Sequence, residues 1–216
     1  MFYNILAIGA HPDDIEFGCF GTLKKHIDSG DNVSIVVMTQ SDVVDSYTKL
    51  VTRNKQESIS ESQCSANLLG AELIFGPFTD TKIPFDGESV GFLEKIIKER
   101  NIDIVYTHWS GDTHQDHINT LNATMAASRF VKTVLCYEQV PLPRITTTHP
   151  VANYYVDITN TIETKLAACE CHKSQIEKFH KNGHDMIENL KVLAKFRGIQ
   201  ANVSYAEAFN VLKMVK

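Results

Sequence analysis

The sequence predicts an α/β domain with a mostly parallel sheet, and three patterns carry that prediction. Short, nearly unbroken apolar runs recur along the chain: YNILAIG (3–9), VSIVVMT (33–39), ELIF (72–75), IDIVYTH (102–108), TVLCYE (133–138) and YYVDIT (154–159). Such runs suit strands buried on both faces. Helical stretches separate them, and strands alternating with helices form right-handed βαβ units in a parallel sheet. No repeat, low-complexity tract or linker interrupts the pattern, so residues 1–216 read as a single domain.

Taken in order, the first strand breaks at a loop and is followed by a helix through GTLKKHIDSG, stopped by Gly30. The second strand gives way to a polar loop (40–52) and a long helix ending at NLLG, where Gly70 fits a C-cap. EKIIKER and a stretch from about 114 to 129 supply further helices. After residue 138 the pattern changes, with Pro141, Pro143 and Pro150 in an extended connection. A strand, a helix through IETKLAACECHKSQ, a helix ending near Arg197 and Gly198, and a last short segment, AEAFNVLKMV, complete an elaborated C-terminal third (about 139–216).

Composition excludes several classes. Lys and Arg number 21 against 26 Asp and Glu, a formal charge of −5, which argues against a nucleic-acid-binding face. Apolar content of 43% argues against disorder. No segment reaches the ~20 apolar residues of a membrane helix, and MFYNILAIGA has no basic region ahead of its short apolar run, so a cytoplasmic protein is expected. The five cysteines (Cys19, Cys64, Cys136, Cys169, Cys171) form no CxxC pair and are read as small buried hydrophobes or idle thiols.

In open α/β sheets ligands bind beyond the carboxyl ends of the strands, which nominates the chain just after residues 9, 39, 75, 107 and 137. Ala10-His11-Pro12-Asp13-Asp14-Ile15-Glu16 follows the first strand. Its carboxylates suit either a helix N-terminus or a cation. His108-Trp109-Ser110-Gly111-Asp112-Thr113-His114-Gln115-Asp116-His117 follows the fourth, and His114 and His117, spaced i, i+3, share one helix face. Two such clusters at one sheet edge point to a metal site. Mixed imidazole and carboxylate donors suit Zn²⁺, or Fe²⁺ or Co²⁺ in its place, and the lack of nearby thiolates reads as a catalytic site.

AHPDDIE followed by His114-Gln115-Asp116-His117 resembles the LmbE-like/PIG-L family of zinc-dependent N-deacetylases, and the likeness extends through Tyr137-Glu138, YYVDIT, Ser174-Gln175 and AEAF (206–209). The resemblance implies a Rossmann-like sheet and hydrolysis of an acetamido group, usually on a glucosamine-type sugar or sugar conjugate. It implies His11, Asp14 and His117 as metal ligands, Asp13 as general base and His114 as electrophilic or acid partner. Asp116 and Asp112 are candidates to orient the imidazoles, with a solvated surface role equally open for Asp112. Glu16 reads as structural.

Substrate contacts are less defined. Arg53 precedes NLLG where family members carry an arginine that can hold a hydroxyl or phosphate; Glu57 and Glu61 compete as its acidic companion, and an exposed helix charge is the other reading. Asp42, after the second strand, and Arg144 and His149, in the Pro-rich connection, are further candidates, loop solvation being the default for the last two. The expected partner is a small N-acetylated molecule, and homo-oligomers remain open. A metal-dependent phosphoesterase and a non-catalytic sugar- or nucleotide-binding module are the alternative functions.

Overall fold

In the computed structural model, which describes residues 2–45, 47–139 and 151–215, β1 (Asn4–Gly9) is the central strand. It pairs in parallel with β2 (Asn32–Thr39) on one side and, beyond the two-stranded hairpin β3 (Val43–Val44) and β4 (Val51–Arg53), with β6 (Ile104–Thr107) on the other. With β5 (Glu72–Phe78), β7 (Thr133–Tyr137), β8 (Tyr154–Asp157) and β9 (Ala206–Met214), the main sheet has seven strands in the order β5-β2-β1-β6-β7-β9-β8. β9 runs antiparallel to both its neighbours; the other pairings in this sheet are parallel. The mostly parallel sheet is therefore as expected, and chain order reverses between β1 and β6, where an open α/β sheet forms its crevice.

The helices are α1 (Asp14–Gly18), α2 (Phe20–Asp28), α3 (Lys55–Leu69), α4 (Gly87–Glu99), α5 (Gln115–Ala127), α6 (Ile162–Glu170), α7 (Lys173–Lys181) and α8 (Met186–Ala201). Side chains alternate across a strand, so β1 serves two cores. Leu6 and Ile8 pack with Leu93, Ile96 and Ala123 of α4 and α5, while Ile5 and Ala7 pack with Phe20, Leu23 and Leu69 of α2 and α3. A third cluster, including Phe17, Leu166, Cys169, Met186 and Leu190, attaches the C-terminal helices. The buried Lys165–Glu207 pair (2.5 Å), with Glu207 also accepting from Gly21 N and Thr22 N, fixes β9 to α2 and α6. None of these helices is long and apolar enough to cross a membrane.

Four local expectations are revised. The polar loop 40–52 contains the β3–β4 hairpin. IETKLAACECHKSQ divides into α6 and α7. α8 continues past Gly198 to Ala201, and the following turn folds back so closely that a Cβ at Gly198 would meet Ser204 O at 2.7 Å, so the glycine serves close packing rather than ending the helix. The cysteines are not all thiols: exposed Cys64 on α3 is bonded to Cys171, with Cα atoms 5.8 Å apart, because the turn between α6 and α7 lies against α3. Cys19, Cys136 and Cys169 are free and buried, and burial pushes each of these thiols up. A bonded pair removes the cysteine argument for a reducing compartment. Gly70 does cap α3, at φ 75°, donating to Ala66 O.

Candidate metal and catalytic site

The β1–α1 turn carries the first motif. Asp13 takes the N-cap position of α1 at φ 111°, a left-handed conformation rare for a residue with a side chain, and its carboxylate makes no capping bond. Asp14 instead turns back and accepts from His11 N at 2.7 Å. The helix-capping reading of these carboxylates therefore fails for Asp13.

The second motif opens α5. His114 caps it with its own ring, Nδ1 accepting from Asp116 N at 3.2 Å. The proton of a neutral His114 is thus on Nε2, and burial, with the nearby His11 and His117, lowers its pKa to about 4. This ring is a neutral N–H donor rather than a cation. His117, one turn on, is buried, and its Nδ1 lies 2.7 Å from Asp112 Oδ2. Asp112 is 5% exposed, and its other oxygen accepts from His114 N, which excludes the solvated-surface reading. Asp116 is fully buried, accepting from Thr81 N, Ile83 N and His11 Nε2.

Three side chains converge where the motifs meet. His11 Nδ1 lies 3.2 Å from His117 Nε2 and 3.6 Å from Asp14 Oδ2, and His117 Nε2 lies 3.3 Å from Asp14 Oδ1. At Zn–N and Zn–O distances near 2.0–2.1 Å, a tetrahedral site separates its ligand atoms by about 3.3 Å. The ring nitrogens on the far sides face Asp112 for His117 and Asp116 and Asp80 for His11, so the near nitrogens present lone pairs to each other. Such a convergence requires a proton or a metal ion. Burial opposes the charge of His11, but Asp116, Asp80 and Asp14 prevail and push its pKa up to about 10.

Asp13, with no side-chain cap bond, stands next to Asp14 of this trio. Burial, reinforced by the charge of Asp14, raises it to about 6, with Arg53, His172 and His11 opposing. A base poised there operates near neutral pH. The site opens into a cleft of about 310 Å³ whose lining includes Asp13, His114, Val43, Val44 and Arg53 together with Gln175, Lys178 and Phe179 of α7.

The expected substrate residues fare differently. Arg53 lies on β4, only 3% exposed, so it is not an exposed helix charge. Its guanidinium points to Pro12 O (3.4 and 3.5 Å) and to Glu61 (3.5 Å), which identifies Glu61 rather than Glu57 as its acidic companion. Asp42 is not at the cleft; it accepts from Lys55 N at the start of α3. Arg144 and His149 lie outside the described residues. Glu16 is buried, accepting from Ser65 Oγ beside His172.

Sequence spacing missed His108, Asp80 and His172. His108 is fully buried at the end of the β6 run; its Nε2 accepts from Ala10 N at 2.9 Å and lies 3.4 Å from Asp14. Its position at the nominated strand edge was the available signal. Asp80 follows β5 at the same edge and reaches His11 Nε2 at 3.1 Å.

An α/β sheet whose switch point gathers imidazoles and carboxylates beside Asp13 forms a candidate metal site. The chain belongs to the PIG-L family: residues 6–128 match its model, described as GlcNAc-PI de-N-acetylase. It is thereby an N-deacetylase of the metal-dependent type. It is 34% identical over 178 residues to YaiS of Escherichia coli strain K12, described as an uncharacterized deacetylase, covering 79% of this chain and 91% of that one. N,N'-diacetylchitobiose deacetylase from Pyrococcus horikoshii superposes with a TM-score of 0.76 at 27% identity, covering 97% of this chain and 84% of the other. GalB, the 4-carboxy-2-hydroxymuconate hydratase of Pseudomonas putida KT2440, superposes at 0.83 with 19% identity over 100% and 98% of the two chains, a likeness of fold alone.

Proposed function

We propose that the protein is a zinc-dependent hydrolase removing the acetyl group from the nitrogen of an N-acetylated sugar or sugar conjugate. The observation that carries this reading is the convergence of His11 Nδ1, Asp14 and His117 Nε2 at 3.2–3.6 Å beside the uncapped carboxylate of Asp13. Other donor triples are disfavoured by chemistry. His108 Nε2 already accepts from Ala10 N, His114 Nδ1 from Asp116 N, and Asp80 and Asp116 address the far nitrogen of His11. Fe²⁺ or Co²⁺ would suit the same donors.

When bound, the metal supplies Lewis acidity towards the amide carbonyl and lowers the pKa of water. Asp13 accepts the proton of the attacking water and passes it to the departing amine nitrogen, without which that amine leaves poorly. His114 donates its Nε2 hydrogen to the oxygen that gains charge as the carbonyl becomes tetrahedral. Asp112 and Asp116 hold the two imidazoles in orientation.

The relatives' sugar chemistry supports the substrate class, and the cleft supports its size. At about 310 Å³ it lies at the small end of ligand cavities, which favours one sugar ring against Phe179 and Val43, with any conjugate in solvent. The test is acetate release from N-acetylglucosamine, N,N'-diacetylchitobiose and nucleotide-linked N-acetyl sugars, alongside generic phosphate esters. Acetate from at least one sugar and no phosphate release is the expected result. Phosphate release without acetate would replace this reading with the phosphoesterase, and binding without turnover would replace it with the non-catalytic module.

A further inference from the structure

Beside the cleft, with Arg53 in its lining, lies a group of buried charges that the proposed chemistry does not use. Arg53, Glu61, His172 and Glu16 are all 8% exposed or less, and they come from β4, α3, the α6–α7 turn and α1. Glu61 is their meeting point. One face of its carboxylate lies 3.5 Å from Arg53 Nη1, and Arg53 in turn reaches the carbonyl of Pro12, immediately before Asp13. The other contacts go to α7: Glu61 accepts from Ser174 N and from Ser174 Oγ, both at 2.7 Å.

The contact with α7 does the work of a helix cap. His172 holds the N-cap position of α7 but makes no side-chain cap bond. The amides of a first helical turn need acceptors, and a carboxylate there also favours the helix dipole. Glu61 supplies both from a different helix. α7 in turn presents Gln175, Lys178 and Phe179 to the cleft. One side chain, itself outside the cleft lining, therefore touches the support of the Asp13 turn and the support of the α7 part of the lining.

The turn has reason to need support. A non-glycine residue at φ 111° is held by its surroundings rather than by its own preference. Arg53 Nε is buried without a hydrogen-bond partner among the described residues, and its hold on the turn runs through the ends of the guanidinium and the charge of Glu61. The Cys64–Cys171 bond, one turn along α3 from Glu61, keeps the same two segments together independently of that charge.

We infer that Glu61 is a positioning residue that joins the catalytic turn to the substrate wall, Arg53 transmitting its effect to Asp13 and Ser174 transmitting it to α7. The inference rests on the proposed role of Asp13 as base. It predicts a split between kinetic parameters: loss of the Arg53 arm acts on kcat, and loss of the Ser174 arm acts on KM.

The experiment compares Ser174→Ala, Arg53→Lys, Glu61→Gln and the double variant Glu61→Gln/Arg53→Lys in the zinc-loaded full chain, with acetate release and amide hydrogen exchange as readouts. Ser174→Ala is expected to raise KM about threefold with kcat within about twofold, and Arg53→Lys, which keeps a cation in the cleft lining, to lower kcat about tenfold with a smaller change in KM. Glu61→Gln should do both. The double variant should lose no more kcat than Arg53→Lys alone, because the two act in series. In hydrogen exchange, Glu61→Gln should speed opening at the first turn of α7 and at Asp13–Phe17 together, and this holds whether or not the tested sugars are substrates. Faster exchange confined to α7, or additive losses of kcat in the double variant, would overturn the inference while leaving the deacetylase reading intact. Should Glu61→Gln fail to fold, the opposed effects of Ser174→Ala and Arg53→Lys still decide it: a common fall in both parameters contradicts the split.

Discussion

His117 Nδ1 lies 2.7 Å from Asp112 Oδ2, and this contact leaves Nε2 facing His11 Nδ1 at 3.2 Å with its lone pair free. The tautomer of the imidazole, and so its capacity to hold a metal, depends on a carboxylate five residues earlier in the chain. Asp112→Asn presents an amide in place of that acceptor. It should weaken zinc binding about 10- to 100-fold, as removal of partners behind metal-ligating histidines commonly does. Competition with a chromophoric chelator measures this, and unchanged affinity would show that Asp112 only serves His114 N.

Asp13→Asn separates base from ligand. Its carboxylate makes no cap bond, so the variant should fold and keep near-native zinc affinity. Acetate release should fall about 10²- to 10⁴-fold, the usual contribution of a positioned base. Full activity in the zinc-loaded variant would transfer the role to another group.

Reduction tests the brace between α3 and the α6–α7 turn. The Cys64–Cys171 bond closes a loop spanning 107 residues, and cross-links over loops of that order constrain the unfolded chain by roughly 4 to 5 kcal/mol in the entropic account. Cys64 is exposed, so a dithiol reductant should reach it without unfolding the protein. Melting temperature should fall on reduction, and Cys64→Ser/Cys171→Ser should match the reduced protein and respond no further.

The Lys165–Glu207 pair makes a prediction of a different kind. Glu207→Gln leaves the 2%-exposed Lys165 as an uncompensated charge beneath β9, and loss of one partner of a buried pair costs about 3–5 kcal/mol. Chemical denaturation should report a loss of that size, with zinc affinity retained, because the pair touches none of the proposed ligands.

His172 gives the pH dependence. Its ring lies 3.4 Å from Glu16 and 4.0 Å from Glu61. Burial disfavours its charge, but Glu16 and Asp13 outweigh burial and the opposing charge of Arg53, so its pKa is raised above 6.5. A group raised on folding contributes stability that is complete below its unfolded pKa and is lost as pH rises through the folded one. The stability advantage of the parent protein over His172→Gln should therefore be largest near pH 6 and shrink on the alkaline side. A gap that widened with pH would reverse the assigned sign.

What the sequence discloses depends on range. Strands such as β1 and β2 are apolar throughout because both faces are buried, so period and length alone reveal them, and the strand-end rule then nominates the two segments that carry His11 and His117, while the ligand set itself follows from the family resemblance. Spacing also groups His114 with His117, since one helical turn brings them together. Glu61 and Ser174, by contrast, are 113 residues apart and meet only because α7 docks on α3. Cys64 and Cys171 are hidden for the same reason. For Arg53 the sequence leaves an exposed helix charge open beside a substrate contact, because nothing in a polar loop announces the hairpin that buries it. Asp42 has the right strand edge but faces the start of α3, a local choice that residue type does not fix.

The most direct test of the central claim is a zinc titration of chelator-treated protein with acetate release as the readout. Activity should be absent after metal removal, rise with added zinc and reach its plateau at one equivalent per chain, while His117→Ala fails to recover at that ratio. Undiminished acetate release from metal-free protein, or full recovery of His117→Ala at one equivalent, would contradict the account.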